Sequence, residues 1–218
     1  MDADYTMGHL DYLLGLNPKN TIQHIVEGKA DFEKTVLNGP WGLKLIPGMS
    51  GLDGNPNIPR DFSRDIIRDL AMYSDWSDIM MCDTTSGASS PTMDVILNCD
   101  DLIMITTPET ASVMDLYSMI KVVHQKMGDE IPRLRLIVNR TNSRDEGRRI
   151  ASSLRGVIGR FLGKGIHFMG AIPSDPEVDH ASRKHIPFIR HAPTSVASRT
   201  IEEIAFSLLN EWENVIGE

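Results

Sequence analysis

Short apolar runs alternate with longer stretches of helical periodicity along nearly the whole chain, the pattern of βα units wound into a parallel sheet. The runs at 43–46, 78–82, 102–106, 134–138 and 167–171 are strand-length and too short for helices. Between them, 60–73, 110–127, 143–162 and 194–216 repeat apolar residues at three- and four-residue intervals. In the last of these, Ile201, Ile204, Ala205, Leu208, Leu209 and Trp212 form one stripe. Glu202, Glu203, Glu211 and Glu213 fall largely off it, which predicts a packed terminal helix.

Loop signals follow each run: Gly48 to Pro56 after the first, Asp83 to Gly87 after the second and Thr107-Pro108 after the third. Asn139-Arg140 follows the fourth, and Ile172-Pro173-Ser174-Asp175 the fifth. In an open parallel sheet, ligands bind at the carboxyl ends of the strands, so these polar groups should converge on one site. The predicted fold class is α/β, a doubly wound and mostly parallel sheet. No internal repeat or low-complexity segment interrupts it.

With 218 residues and 41% hydrophobic content, a full core can be buried, and one domain over 1–218 is expected. The formal charge of -8 argues against a chain-wide grip on nucleic acid. Arg144, Arg148, Arg149, Arg155 and Arg160 could make a local basic patch, but their spacing fits a solvated helix face. Cys82 and Cys99 have no CxxC or His partner at metal spacing, and the histidines share none either. Met80, Met81, Met114, Met119 and Met127 read as core fillers. No apolar stretch approaches the ~20 residues that span a bilayer, and no signal-like start is present, so a cytoplasmic protein is expected.

Chemistry concentrates at two acidic motifs. In Asp83-Thr84-Thr85-Ser86-Gly87 an apolar run delivers an acid, and Gly87 supplies a turn whose backbone N–H groups can face a phosphate. On these residues alone, an acid that caps the loop or the next helix is the favoured reading. In Asp2-Ala3-Asp4, carboxylates two apart on an extended segment can share a cation or order a water, or can simply be solvated acids at a terminus. The serines beside Asp83 lack the GxSxG arrangement of a hydrolase elbow.

The stretch from Asp2 to Pro18 resembles switch I of the MinD/ParA family, in which a DxD strand end leads into an "LD…LGL" segment. Further matches follow in order at Ile22 to Gly28, Leu45-Ile46-Pro47-Gly48, Asp83 to Gly87, Thr107-Pro108-Glu109, Asp115-Leu116-Tyr117 with Lys121, Val138-Asn139-Arg140 and Gly170 to Asp175. Through Pro47-Gly-x-Ser-Gly the chain is most similar to flagellar-number regulators of the FlhG/FleN type. The resemblance implies an ATP- and magnesium-dependent switch that forms a homodimer and meets protein partners. By position, Asp4 matches the acid that orients the attacking water, and Asp2 the acid near the magnesium shell. Asp83 matches the switch II acid that holds magnesium through water, with Gly87 in its phosphate-facing turn. Asn139 with Arg140 matches the adenine-reading segment, and Pro173 with Asp175 the segment lining the base. Adenine is the expected base, because a guanine site needs a carboxylate where Asn142 stands.

Three departures qualify the resemblance. The family's lysine-bearing glycine loop precedes the DxD, whereas here no GKS or GKT occurs and Gly163-Lys164-Gly165 lies in a short connection. The expectation is therefore a fold lacking its first strand, phosphate loop and first helix, with two strands left unpaired. Such a chain is either internal to a longer protein or a loop-less relative. A non-hydrolytic regulatory or interaction module that keeps the fold without ATP is accordingly the alternative reading. His9 stands where the family has an Asn that aids dimerisation. Finally, the acidic 200–218 segment contains no Lys or Arg and would be repelled by anionic lipid, unlike a basic amphipathic anchor.

Overall fold

A computed structural model describes residues 1–5, 8–49, 62–72 and 77–216. Residues 50–56 of the glycine-rich loop, and with them the end of the Pro-Gly-x-Ser-Gly stretch, lie outside the described residues. The chain divides into two compact units, Met1–Asn98 and Cys99–Glu218.

In the second unit, β5 (Asp101–Thr106), β6 (Arg133–Thr141) and β7 (His167–Pro173) form a parallel sheet in the order β5-β6-β7. The connecting helices, α6 (Thr110–Met127) and α7 (Arg144–Leu162), lie where periodicity places them. Ser143 caps α7 by accepting a hydrogen bond from the Glu146 amide at 3.2 Å, and Gly163 ends it in the left-handed region at φ 65°. Gly163-Lys164-Gly165 is therefore a helix terminus, with Lys164 paired to Asp129 at 2.7 Å.

Alternation along β6 sorts the core into two layers. Leu134, Leu136 and Val138 pack with Leu116, Ile120, Ala151, Leu154 and Ile158 of α6 and α7. Ile137 packs with Ala197 and Ile204 of the last helix, α10 (Val196–Ile216), alongside Val178 of α8 (Pro176–Arg183) and Phe188 of α9 (Phe188–His191). Helices thus cover both faces of a parallel sheet, the doubly wound arrangement. At Gly147 a side chain would collide with Ala171, so α7 approaches β7 through a bare backbone. The α10 stripe is narrower than expected: Ile204 and Leu208 are buried, but Ala205 and Leu209 are exposed. The sheet face accepts only one row of the helix.

In the first unit, β1 (Asp2–Ala3) pairs in parallel with β4 (Asp83–Thr84). A separate antiparallel hairpin joins β2 (Leu37–Asn38) to β3 (Lys44–Leu45). This corrects two expectations. The 43–46 run is one arm of a hairpin, because the Pro40–Gly42 turn returns the chain directly onto 37–38. The 78–82 run forms no strand. Its apolar side chains are exposed, Met80 at 43% and Met81 at 64%, and backbone bonding starts only at Met81, opposite Met1. Met114 is likewise exposed rather than core. The helices are α1 (Leu10–Leu13), α2 (Ile22–Val26), α3 (Phe32–Thr35), α4 (Phe62–Met72) and α5 (Ser90–Ile96). Their core joins Ala3, Tyr5, Ile22, Ile46, Met49, Ile66, Leu70 and Val95. Among the described residues, no helix is long and apolar enough to cross a membrane.

An ion network fastens α10 beneath the three-stranded sheet. Arg135, 3% exposed, binds Asp101 Oδ1 at 2.5 Å and Glu211 Oε2 at 2.6 Å. Trp212 donates its indole N–H to Asp101 Oδ2 at 2.9 Å, and Arg133 reaches the same oxygen at 3.0 Å. Burial raises the Asp101 carboxyl, but the hydrogen bonds from Arg135 and Trp212 outweigh it and hold the group below its ordinary range. Removing the cation strands a buried carboxylate, so Arg135→Met should cost about 3 kcal/mol of stability in urea denaturation. Glu211→Gln, at the partly exposed end, should cost less than about 1 kcal/mol in the same measurement.

Candidate functional site

The two acidic motifs, eighty residues apart in sequence, meet in the first unit. The β1–β4 ladder sets Asp2 opposite Asp83 and Ala3 opposite Thr84, with Asp83 N–H donating to the Met1 carbonyl at 3.0 Å. Both acids therefore stand at the same level of a parallel pair, as the first residues of its two strands.

The two carboxylates of the DxD have different surroundings. Asp2 is 1% exposed, and its Oδ1 accepts the Asp4 amide at 3.0 Å while Oδ2 accepts the Leu10 amide at 3.1 Å. Two amide donors compensate for the desolvation of this buried carboxylate. Asp4 is half-exposed. The Asp2 side chain sits between two glycines. A Cβ on Gly8 would lie 2.6 Å from Asp2 Oδ2, and one on Gly48 would lie 2.8 Å from Asp2 Cγ. Gly8 N–H donates to the Met49 carbonyl at 3.0 Å, and the Asp2 amide donates to the Ile46 carbonyl at 2.9 Å. The carboxylate thus joins three segments: the DxD strand, the turn that enters α1, and the strand leaving the hairpin. Sequence reasoning quoted both glycines within motifs without seeing this purpose, since nothing local marks the residue they make room for. His9, exposed, precedes α1 at its N-cap position.

Asp83 retains exposure to solvent, yet its carboxyl is raised above the ordinary range. The protein around it is the larger cause, and the negative charge of Asp2 follows, with a smaller part from Asp4. Beyond β4, Gly87 takes φ 91°, a left-handed conformation that opens the turn toward α5. Ser89 caps α5 by accepting the Thr92 amide at 3.3 Å, and the buried Thr92 hydroxyl meets both Ser89 Oγ and Thr85 Oγ1. The segment is therefore a hydrogen-bonded acid, turn and helix start. Among the described residues, no group of three or more His, Cys, Asp or Glu is disposed to hold a metal ion.

In the second unit, the other set of sequence-selected residues gathers at the ends of β6 and β7. The ladder shifts register between Val138 and Thr141, which takes Asn139 and Arg140 out of pairing. Arg140 adopts φ 56°, and its amide donates to Asn139 Oδ1 at 2.8 Å. Thr141 pairs with Pro173, its hydroxyl donates to the Ile172 carbonyl, and Ser174 N–H returns to the Thr141 carbonyl. Asn142 is occupied by the Glu146 carboxylate, at 2.7 Å from its amide. Asp175 receives the Glu177 amide on Oδ1 at 3.0 Å and the Ala197 amide on Oδ2 at 3.3 Å. These bonds, the Glu177 amide first, hold its carboxyl below the ordinary range, and the side chain ties the starts of α8 and α10 together. The structure therefore brings Asn139, Arg140, Pro173 and Asp175 to one strand-end cluster, and Asp2, Asp4, Asp83 and Gly87 to another.

Gly8→Ala and Gly48→Ala should each lose roughly 2 kcal/mol of stability, because neither the Asp2 carboxylate nor the backbone behind it can retreat. Chemical denaturation of the two variants checks this. For Asp83 the sign is the reverse of an ion-paired acid. A folded-state pKa above the unfolded value favours the protein while the group is protonated, and that advantage is lost as pH rises through the folded value. Asp83→Asn should therefore raise the urea midpoint at neutral pH, with the gain fading as pH falls through the raised folded value and gone below about 4, the ordinary Asp value. A neutral-pH midpoint equal to or below that of the parent chain would contradict this.

No protein-family model matches the chain. It is 28% identical over 205 residues to the antiactivator FleN of Pseudomonas aeruginosa, covering 94% of this chain and 72% of that protein. It is also 28% identical over 213 residues to the flagellum site-determining protein YlxH of Helicobacter pylori, covering 97% and 71%. Among solved structures, the septum site-determining protein MinD of Pyrococcus horikoshii, in complex with Mg-ADP, superimposes with a TM-score of 0.77 at 20% identity over 95% of this chain and 81% of that one. With the ordered motifs, the Asp2–Asp83 register and the doubly wound sheet, these likenesses give the chain the fold of the MinD/ParA P-loop ATPases and make it similar in sequence to the FleN and YlxH type.

Proposed function

We propose that the chain carries the switch segments of an ATP-dependent molecular switch that regulates the number or placement of flagella, or positions another cellular structure. The observation that carries this reading is the register of β1 on β4, which aligns the DxD strand with the second acidic switch. The likeness to FleN and YlxH, each spanned over more than two thirds of its length, supports the cellular role.

Carboxylate oxygens suit magnesium, which is commonly held by one or two carboxylates together with waters and substrate phosphates. Asp83 fits that demand: its carboxyl is raised by surrounding protein and by Asp2, a repulsion that a nearby cation relieves. Magnesium, when bound, supplies charge neutralisation at the phosphates. Asp83 is thus the residue to hold it, and Gly87 frees the backbone that follows. Asp2 has its carboxylate committed to the Asp4 and Leu10 amides, so its contribution is to fix Asp4 in place. Asp4, half-exposed at the strand end, is the acid to orient an attacking water. In the other unit, Asn139 keeps its amide NH2 for the edge of an adenine, with Arg140, Pro173 and Asp175 shaping the surrounding backbone.

The alternative reading is a regulatory or interaction module that keeps the fold without hydrolysing ATP. The two are separated by measuring Mg-ATP binding and phosphate release for this chain and for a version extended upstream of Met1. The switch reading expects Mg-dependent binding and turnover in the extended form, with Asp4→Ala abolishing turnover while leaving binding intact. Inactivity of both forms would establish the second reading.

A further inference from the structure

The outward face of α10 carries a surface that neither switch cluster uses. Ala197, Ile204 and Leu208 bury the inner row of the helix against the sheet. Phe206 lies two residues from each of Ile204 and Leu208, on the opposite side of the helix, and is 68% exposed. Leu209, one turn further on, is 43% exposed. Glu202 precedes Phe206 by four residues and Glu213 follows Leu209 by four, so the four side chains form one continuous row.

The charges along this row are uncommitted. Glu203 pairs with Arg144 and Glu211 with Arg135, but Glu202 and Glu213 are exposed and make no ion pair or hydrogen bond among the described residues. Arg199 is the sole cation on α10, against four glutamates within the same helix. An exposed Phe beside an exposed Leu is an aromatic anchor of the kind that dominates helix-in-groove contacts. Carboxylates one turn beyond each end select for positive charge in the partner and against negative charge.

We propose that the Glu202–Phe206–Leu209–Glu213 row is a docking surface for a basic amphipathic helix of a protein partner. Its apolar stripe covers Phe206 and Leu209 while Lys or Arg at its flanks meet Glu202 and Glu213. The chemistry disfavours the other occupants. An anionic lipid surface is repelled by the glutamates. A two-fold pairing of α10 with a second copy, run antiparallel, would set Glu202 of one protomer against Glu213 of its partner.

The test uses the 218-residue chain without nucleotide, so that its outcome is separate from the switch reading. The probe is a fluorescently labelled synthetic peptide of about five helical turns, with leucines at three- and four-residue spacing and flanking lysines. A second probe replaces the lysines with glutamates. Fluorescence anisotropy at physiological salt should show the lysine peptide binding the parent chain about tenfold or more tightly than it binds Phe206→Ser. The double variant Glu202→Lys/Glu213→Lys should lose the lysine peptide and gain the glutamate peptide, a swap that a general loss of structure cannot produce. The proposal is overturned if the lysine peptide fails to bind, if Phe206→Ser binds it equally, or if the charge reversal does not exchange the two probes. It is equally overturned if light scattering finds a dimer that Phe206→Ser dissolves, or if the row binds phosphatidylserine vesicles.

Discussion

A carboxylate placed out of water must find donors, and the first unit is arranged around that requirement at Asp2. Its two oxygens accept the amides of Asp4 and Leu10, so the chain between them is tied at both ends to one side chain. The space for that side chain exists only because Gly8 and Gly48 approach from separate segments without Cβ atoms. The DxD strand, the turn into α1 and the strand leaving the hairpin therefore hold one another in place. The β1–β4 ladder extends the arrangement to Asp83, whose position opposite Asp2 is set by backbone register.

Charge is handled differently in the two units. In the second, Arg135 is matched by Asp101 and Glu211, Asp101 is further held by Trp212 and Arg133, and the network fixes α10 against the sheet. In the first, the protein around Asp83 and then the charge of Asp2 push its carboxyl upward. A balanced network secures a scaffold, whereas a carboxyl set in protein beside a like charge is held short of full ionisation. The strand-end cluster of the second unit shows the same contrast between scaffold and opening. Asp175 and Glu146 are committed to capping amides, while the register shift leaves Asn139 and Arg140 outside the ladder.

Particular elements show where sequence reading succeeds. The α6 helix occupies the range predicted for it because eighteen residues of sustained periodicity end at Gly128, whose φ of 59° terminates the helix. The strands β5, β6 and β7 lie over the predicted runs, since strands packed against helices are predominantly apolar. The 78–82 run misled for a related reason. Apolar composition records a tendency to pair, and pairing needs a neighbour, which the ladder provides only near Asp83. Short helices such as α1 and α3 are four residues long, too brief for periodicity to register. The outer row of α10 was read as part of a packed stripe because Leu209 and Ala205 are apolar, although only the inner row meets the sheet.

By itself the sequence determined the α/β class, the long helices, the strands of the second unit and the family resemblance, because each depends on local periodicity or on motifs kept in order. Tertiary structure alone decided that Asp2 opposes Asp83, that Gly8 and Gly48 enclose a buried carboxylate, and that Asp175 joins α8 to α10. Those features rest on which backbone amides and bare Cα atoms come within hydrogen-bonding or van der Waals distance of a side chain far away in sequence. Such distances are set by strand register and packing, and no local pattern of residues records them.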